Sequence, residues 1–191
     1  MGTDKALLPF GVENLLELAI SRAKGVSPTP IIVGDRNRYS PYGEVIEDRF
    51  PHCGPLGGIH AALCATQTDL NLVLSVDMPL MRSDFLIWLA RLAASGNAMA
   101  VVPETQGRQQ PLCAVYRSAA RPVVEQALNR GEFKVGHIFS LIPACYVKED
   151  EIAEAGFSPD IFRNVNTRDG YEAVRNLREQ GPPLFSESQG K

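Results

Sequence analysis

A carboxylate ends a short apolar segment of the chain: Leu-Val-Leu-Ser-Val at residues 72–76 is followed by Asp77 and, two residues later, by Pro79. An aliphatic run without charges predicts a strand buried on both faces of a sheet, and proline, which lacks an amide hydrogen, cannot continue it. Asp77 is therefore expected at the carboxyl end of a buried strand, where open α/β sheets bind ligands. Such a carboxylate can hold Mg²⁺ against a phosphate oxygen; alternatively, it only shapes the turn before a helix with Ser83 as its N-cap.

A glycine-rich turn, Gly-Pro-Leu-Gly-Gly at residues 54–58, precedes an apolar helix predicted from about residue 59 to residue 65. Backbone N–H groups and the positive end of the helix dipole favour an anion at such a place. Because the dipole contributes only about 0.3–1 kcal/mol, it assists binding without carrying it. By itself the segment is a weak signal for an anion site, since most such segments are simply tight turns.

Two asparagines, Asn164 and Asn166, lie two residues apart and precede Thr167. In an extended segment this spacing places both amides on one face, where they offer donors and acceptors to a ligand. The simpler interpretation makes Thr167 the N-cap of a helix predicted at residues 168–179, with the asparagines as strand-end turn residues.

Lysine, cysteine and histidine offer further candidates. Lys5, in the polar opening of the chain, is either a solvated surface residue or a cation that contacts phosphate. His60 and Cys64 would share one face of a helix, close in sequence to His52 and Cys53. A zinc site could use these four side chains, but adjacent His52 and Cys53 do not match the usual ligand spacing, so reduced thiols are the expected state of the cysteines.

Composition narrows the class of protein. The chain has 191 residues, 45% of them hydrophobic, and a formal net charge of -3, which argues against nucleic acid as a partner. No apolar run approaches the roughly 20 residues of a membrane span, and no signal peptide opens the chain, so a cytoplasmic protein is expected. We predict one domain at residues 1–180 and a disordered tail, rich in Pro, Ser, Gln and Gly, at residues 181–191.

The remaining chain alternates helical and strand patterns, which favours βα units and a mainly parallel sheet. A short connection between the strands at residues 98–102 and 111–116 favours a β-hairpin, and thus at least one antiparallel member. Further predicted helices lie at residues 14–23, 84–94, 122–129 and 135–141, and further predicted strands at residues 30–34, 45–46 and 144–147, the last as an edge strand.

In sequence order, these segments together resemble the motifs of the molybdenum cofactor guanylyltransferase family, within the MobA-like nucleotidyltransferases. The similarity runs from residue 1 to about residue 176. It rests on Met-Gly-Thr-Asp-Lys at residues 1–5, Glu-Asp at 47–48 with the turn at 54–58, Ser-Val-Asp-Met-Pro at 75–79, and Asn-Val-Asn-Thr at 164–167. The resemblance implies a three-layer, Rossmann-like α/β fold with a mostly parallel sheet and at least one antiparallel strand.

The resemblance also implies an activity: transfer of GMP from GTP, with Mg²⁺, to molybdenum-bearing molybdopterin, which yields a guanine dinucleotide cofactor and pyrophosphate. In the family the residue matching Lys5 contacts the triphosphate, that matching Asp48 the nucleoside, and that matching Asp77 the magnesium ion and the nucleotide. Molybdoenzymes or their chaperones are candidate protein partners.

The resemblance assigns the acceptor side to the glycines of the turn and to the asparagine pair, namely Gly54, Gly57, Gly58, Asn164 and Asn166. At the position of Gly34 the family often carries an asparagine that contacts the nucleotide. Since glycine has no side chain, that contact would be lost here or made by the backbone.

The chemistry agrees with such an activity. A phosphate nucleophile is already ionised at pH 7, so no strong general base is required. Catalysis then rests on in-line positioning and on neutralising the charge that builds up on the phosphates. The scattered histidines and cysteines fit this non-covalent transfer better than a triad or a thiol mechanism.

One family feature has no counterpart in the sequence: a first strand and a Leu-Ala-Gly-Gly turn with a following basic residue would precede Met1. We expect these to be encoded upstream, the alternative being a degenerate relative. Since that strand would lie centrally, its neighbours would have unpaired backbone groups without it. The 191-residue chain is then expected to be aggregation-prone and less active than an extended chain.

Two other functions stay open. A sister family makes a cytosine dinucleotide from CTP, although the turn at residues 54–58 favours the guanylyl branch. A non-catalytic protein that binds nucleotide or hands over the cofactor would survive without its phosphate loop.

Overall fold

The computed structural model describes residues 4–166, 170–172 and 174–175. Within them, no helix is long and apolar enough to cross a membrane. The helices are α1 (Leu15–Ala23), α2 (Arg36–Tyr39), α3 (Pro55–Ala65), α4 (Ser83–Ser95), α5 (Arg121–Asn129), α6 (Val135–Ile138) and α7 (Glu149–Glu154). The strands are β1 (Pro9–Phe10), β2 (Glu13–Asn14), β3 (Ile32–Val33), β4 (Val45–Ile46), β5 (Leu70–Leu74), β6 (Ala100–Thr105), β7 (Arg108–Gln109), β8 (Cys113–Arg117) and β9 (Ala144–Val147). Single 3₁₀ turns lie at Lys5–Leu7, Ser40–Tyr42, Ser118–Ala120 and Pro159–Phe162.

The main sheet is mixed, in the order β5-β8-β6, with β7 and β9 also paired to β6. β8 runs antiparallel to both β5 and β6, whereas β9 runs parallel to β6. β5, β6 and β9 therefore share one direction, and β8 is the reversed strand between them. The predicted α/β class and the predicted hairpin are confirmed, with β7 as an additional short strand antiparallel to the end of β6.

Helices cover both faces of this sheet, which gives the three layers. On one face, Leu56 of α3 and Val124 of α5 share a buried cluster with Tyr116 of β8. On the other face, Phe85 of α4 shares a second cluster with Val115, the neighbour of Tyr116. The alternation of β8 side chains between the two clusters follows from the two-residue period of a strand.

β5 corrects the prediction of a strand buried on both faces. Its side chains do point into both clusters, Leu72 and Leu74 toward α4 and Val73 toward α3. All of Leu70–Leu74 except Asn71 nevertheless stays partly exposed. The reason is that, among the described residues, β5 pairs only with β8 and forms an edge of the sheet.

A second, two-stranded parallel sheet is formed by β3 and β4. It is joined to the main body by packing: Ile32 and Val45 share a buried cluster with Ala6 and Leu16, and Val76, just beyond β5, packs against that cluster. The ends of β3, β4 and β5 are thereby tied to the 3₁₀ turn that contains Lys5.

The glycine-rich segment is part of a helix and not a separate turn. α3 begins at Pro55, four residues before the predicted start, so that Gly57 and Gly58 lie in its first turn. Gly54 is the N-cap, with φ 64° and ψ −156°, a conformation that only glycine adopts readily. Proline at the first helical position suits this start because its missing N–H would be unpaired there in any case.

Other boundaries shift by smaller amounts. Ser83 was predicted to cap α4, but it is the first helical residue, and Arg82 occupies the cap position. The helix predicted at residues 135–141 ends at Ile138. Residues 170–172 and 174–175 are helical, within the helix predicted at residues 168–179. Thr167, the other residues of that helix and the predicted tail lie outside the described residues.

Candidate functional site

Asp77 lies in a turn just beyond the end of β5. Its backbone carbonyl accepts a hydrogen bond of 2.9 Å from Val165 N–H, which holds the segment of the asparagine pair against this turn. The side-chain atom Oδ1 of Asp77 is buried and has no hydrogen-bond partner among the described residues. Since an unpaired buried acceptor costs about 1–3 kcal/mol, this oxygen suits a ligand that brings a donor or a cation.

A cleft of about 480 Å³ opens beside Asp77. Asn164 and Asn166 line it together with Asp77. The hairpin wall, made by the β6–β7 hairpin and the loop after it, also lines the cleft and includes Thr105, Arg108, Gln109 and Gln110.

Lys5 reaches the same place from the start of the chain. Its Nζ donates a hydrogen bond of 3.1 Å to Asn166 Oδ1. Its position is fixed by both neighbours, because the Asp4 side chain caps the 3₁₀ turn by accepting from Ala6 N–H at 3.1 Å, and the Ala6 side chain is buried. The structure thus places Lys5, Asp77 and the asparagine pair in one group.

A second group lies beyond β3 and β4. Because these strands are parallel, Gly34 and Asp48, which follow them, emerge at the same edge. Asp48 Oδ1 accepts a hydrogen bond of 2.8 Å from Phe50 N–H, and the carboxylate rests on Gly57 in the first turn of α3. A Cβ at Gly57 would lie 2.3 Å from Asp48 Oδ2. The anion at the start of α3 is therefore the Asp48 carboxylate of the chain itself. Its negative charge lies at the positive end of the helix dipole, which is favourable.

The glycines assigned by resemblance to the acceptor side lie with this second group. Gly57 contacts Asp48, and Gly54 caps the helix. A Cβ at Gly58 would lie 3.7 Å from Val33 Cγ1. None of the three is among the residues that line the cleft of Asn164 and Asn166. The structure thus places these glycines apart from the asparagine pair, and their assignment to the acceptor side stays a prediction.

The aromatic ring beside position 34 explains why this residue is a glycine. A Cβ at Gly34 would lie 2.8 Å from the ring of Tyr39, which occupies the space of a side chain. The Tyr39 hydroxyl donates a hydrogen bond of 2.8 Å to Asp4 Oδ2, and Arg38 is 3.4 Å from the same oxygen. Burial, followed by the contact with Asp4, raises the pKa of Tyr39 to about 12, so the phenol stays protonated and keeps donating at neutral pH.

His60 and Cys64 lie together on α3, as their spacing predicts, with Cys64 Sγ 3.5 Å from His60 Nε2. His52 and Cys53 do not join them, and the described residues contain no group of three or more His, Cys, Asp or Glu side chains that could hold a metal. His60 is 1% exposed and packs edge-on against the ring of Phe50. Burial lowers the pKa of His60, so the imidazole is a neutral core group.

Sequence reasoning missed the hairpin wall of the cleft and the Asp4–Tyr39 contact. The polar residues 104–110 join the strands predicted at residues 98–102 and 111–116, and within them Gln106 and Gly107 form a tight turn between β6 and β7. The glycine in that turn is the available signal for a hairpin. Nothing in the local pattern indicates that Tyr39 lies against Gly34.

Comparison with known proteins gives one family. Residues 1–140 match the sequence model described as the MobA-like NTP transferase domain. A probable molybdenum cofactor guanylyltransferase from Bacillus subtilis (strain 168) is 37% identical over 142 residues, which cover 73% of this chain and 69% of the relative. A probable molybdenum cofactor guanylyltransferase from Clostridium perfringens (strain 13 / Type A) is 30% identical over 185 residues, covering 92% and 89%.

Solved structures support the same fold. The crystal structure of molybdopterin-guanine dinucleotide biosynthesis protein A from Archaeoglobus fulgidus superposes with a TM-score of 0.82 at 23% identity, covering 94% of this chain and 92% of that one. A 2-C-methyl-D-erythritol 4-phosphate cytidylyltransferase from Thermus thermophilus gives a TM-score of 0.70 at 16% identity, covering 92% and 94%.

The contact between Asp48 and Gly57 predicts a coupling that a double-mutant cycle measures. Gly57→Ala should lower the free energy of unfolding of the parent by about 1 kcal/mol or more beyond its effect in an Asp48→Ala background. The reason is that only the parent has a carboxylate that must move away from the new methyl group. Urea unfolding of the four proteins gives the coupling free energy. Gly58→Ala, in the same helical turn and in ordinary contact with Val33, is the matched control and should show no coupling to Asp48→Ala. Equal effects of Gly57→Ala in both backgrounds would refute the contact.

The buried imidazole predicts how stability changes with pH. Because the folded-state pKa of His60 lies below its ordinary value of 6.5, the unfolded chain binds the proton more tightly. The contribution of His60 to stability is fully present above about pH 6.5 and decreases as the pH falls below it. Urea unfolding between pH 5 and 8 should show this slope in the parent and a smaller one in His60→Phe. A slope in His60→Phe equal to that of the parent would contradict the prediction.

Proposed function

Because the chain belongs to the MobA-like NTP transferase family, we propose that it transfers GMP from GTP to molybdenum-bearing molybdopterin, forming the guanine dinucleotide and releasing pyrophosphate. The names of its curated relatives support this choice of substrates. One structural observation carries it: the unpaired, buried Oδ1 of Asp77 lies in the same group as the ammonium of Lys5 and the asparagine pair, beside an open cleft.

The donor set around Asp77 fits Mg²⁺. Its unpaired carboxylate oxygen is the kind of ligand that Mg²⁺ prefers, and Mg²⁺ usually takes only one or two protein carboxylates, with water and phosphate oxygens in its other positions. The lack of a larger cluster of acidic side chains among the described residues agrees with such a site. When bound, the ion would neutralise charge on the triphosphate.

The protein side chains supply the remaining charge and the positioning. Lys5 brings a positive charge to the asparagine pair, and its hydrogen bond to Asn166 limits the orientations of its flexible side chain. Asn164 and Asn166 offer amide groups to polar atoms of the acceptor. The acceptor phosphate attacks as an anion, so no histidine or cysteine has to take up a proton. This agrees with the buried, structural position of His60.

Asp48 and its surroundings are proposed for the nucleoside. Guanine presents N1–H and N2–H donors side by side, and a carboxylate can accept both. The hydrogen bond from Phe50 and the contact with Gly57 hold the Asp48 carboxylate in a fixed orientation at the start of α3. Gly34 emerges at the same edge, so its backbone is available to the nucleotide.

The function predicts a preference for GTP over CTP. A site that pairs with a specific set of donors rejects a base lacking them, because its own polar groups would stay unpaired. We expect kcat/KM with GTP to exceed that with CTP by about tenfold or more. The protein is incubated with Mg²⁺, molybdenum-loaded molybdopterin and both nucleotides in competition, and the products are resolved by chromatography. Mostly cytosine dinucleotide would move the chain to the CTP-dependent reaction, and nucleotide binding without any dinucleotide would indicate a non-catalytic relative.

Asp77→Asn tests the assignment of the carboxylate. The amide is nearly isosteric, so the fold should be retained, while turnover should drop by about 100-fold or more because the negative charge that would hold Mg²⁺ is lost. Initial rates of dinucleotide formation are compared at several Mg²⁺ concentrations. Asp150→Asn, the same charge change at an exposed position on α7, is the control and should match the parent. A folded Asp77→Asn protein with the rate of the parent would refute the assignment of Asp77 to Mg²⁺ binding.

A further inference from the structure

We propose that Arg108 binds the phosphate of the acceptor and positions it for attack on the nucleotide. This rests on the proposed function, and it names the part of the protein that recognises the second substrate. The acceptor must present a phosphate monoester, because the new bond joins its phosphate to that of the nucleotide.

The hairpin places the Arg108 side chain in the cleft. Gln106 and Gly107 have φ values of 51° and 67°, as in the two-residue turns that join tightly paired strands. Arg108 is thereby paired directly with Thr105, and residues opposite one another in an antiparallel pair project to the same face. Thr105 is 5% exposed, and both residues line the cleft of Asp77.

The hairpin is anchored from outside the cleft. Gln106 N–H donates a hydrogen bond of 2.7 Å to Glu149 Oε2 at the start of α7, and Lys148 Nζ is 2.7 Å from Glu104 Oε1. These contacts tie the turn and the preceding strand to the neighbouring helix. The backbone of Arg108 is thus held in place, while the residue itself is exposed and lines the cleft.

Arg108 differs from the other cations near the cleft because its side chain has no hydrogen-bond or ion-pair partner among the described residues. Arg163 also lines the cleft, but its Nε donates to Asp160 Oδ1 at 2.7 Å. Lys5 donates to Asn166. The side chain of Arg108 forms neither a hydrogen bond nor an ion pair with any residue that the structure describes, so all five of its N–H donors are available to a ligand.

The position of Arg108 indicates the acceptor rather than the nucleotide. The residues proposed for the nucleoside, Gly34 and Asp48, emerge from the small sheet beside α3, and neither lines the cleft. Lys5 connects the two regions, because its turn packs on the small sheet through Ala6 while its ammonium reaches Asn166. Arg108 instead lines the cleft together with the asparagine pair proposed for the acceptor.

The reaction gives such a cation a clear task. An oxygen of the acceptor phosphate forms a bond to the α-phosphorus of GTP, and the bond from that phosphorus to the bridging oxygen breaks, so that pyrophosphate leaves with its electron pair. Both reactants are anions, and a phosphate monoester carries about −1.5 to −2 charges at pH 7. A guanidinium can contact two of its oxygens in a bidentate arrangement, which lowers the repulsion and leaves the third oxygen free to attack.

Kinetics with each substrate varied in turn test the proposal. Arg108→Ala should raise the KM for molybdenum-loaded molybdopterin by roughly tenfold or more, while the KM for GTP stays within about twofold of the parent. Arg108→Lys should recover part of the loss, because it keeps the charge but not the bidentate geometry. Arg91→Ala removes the same charge from an exposed position on α4 and should change neither constant.

A binding experiment without nucleotide separates this proposal from the proposed function. Binding of molybdopterin to the parent, Arg108→Ala and Arg91→Ala is followed by quenching of the pterin fluorescence. If only Arg108→Ala loses binding, Arg108 is confirmed even where the parent forms no dinucleotide, a result that would overturn the function alone. The proposal is overturned if the parent does not bind molybdopterin, if both variants bind like the parent, or if Arg108→Ala raises the KM for GTP instead.

Discussion

The hydrogen bond from Val165 N–H to the backbone carbonyl of Asp77 is the contact on which the cleft depends. It joins the turn after β5 to a segment from the far end of the chain, which is brought there by core packing. Ile161 and Phe162, just before the asparagine pair, are buried under α4, and the ring of Phe162 meets that of Phe85 edge-on at 5.2 Å. The position of the polar pair is therefore set by apolar burial, and the hydrogen bond fixes the remaining distance.

The two carboxylates proposed for ligand contact, Asp48 and Asp77, differ in their hydrogen-bond partners within the protein. Asp48 accepts a backbone hydrogen bond and lies at the positive end of a helix, so its charge is already stabilised within the protein. Asp77 has one buried oxygen without a hydrogen-bond partner among the described residues, which a donor or cation brought by a ligand would satisfy. A carboxylate that the protein holds in a fixed orientation is suited to accept hydrogen bonds from the donors of a base. A carboxylate with an unpaired oxygen is suited to bind a cation. This difference supports separate roles for Asp48 and Asp77.

Local patterns were sufficient for much of this arrangement. The strand-end position of Asp77, the shared face of the asparagines and the hairpin between β6 and β8 all follow from periodicity and turn chemistry. The start of α3 was missed because glycine has a low helix propensity, while the left-handed cap at Gly54 depends on its surroundings. The half-exposure of β5 and the place of Arg108 in the cleft depend on contacts between distant segments, which an apolar run and a polar loop do not encode.

The turn that begins the described chain connects the two groups of the site. Asp4 is held by the hydroxyl of Tyr39, whose ring in turn covers Gly34 at the edge of the small sheet. Lys5, the next residue, is held by Asn166 at the cleft, and Ala6 is buried between them in the cluster of β3 and β4. Because burial raises the pKa of Tyr39 to about 12, its hydroxyl remains a donor to Asp4 at neutral pH. Consecutive residues thus fix a cation at a constant place between the proposed nucleoside and acceptor sites, as transfer between two anionic substrates requires.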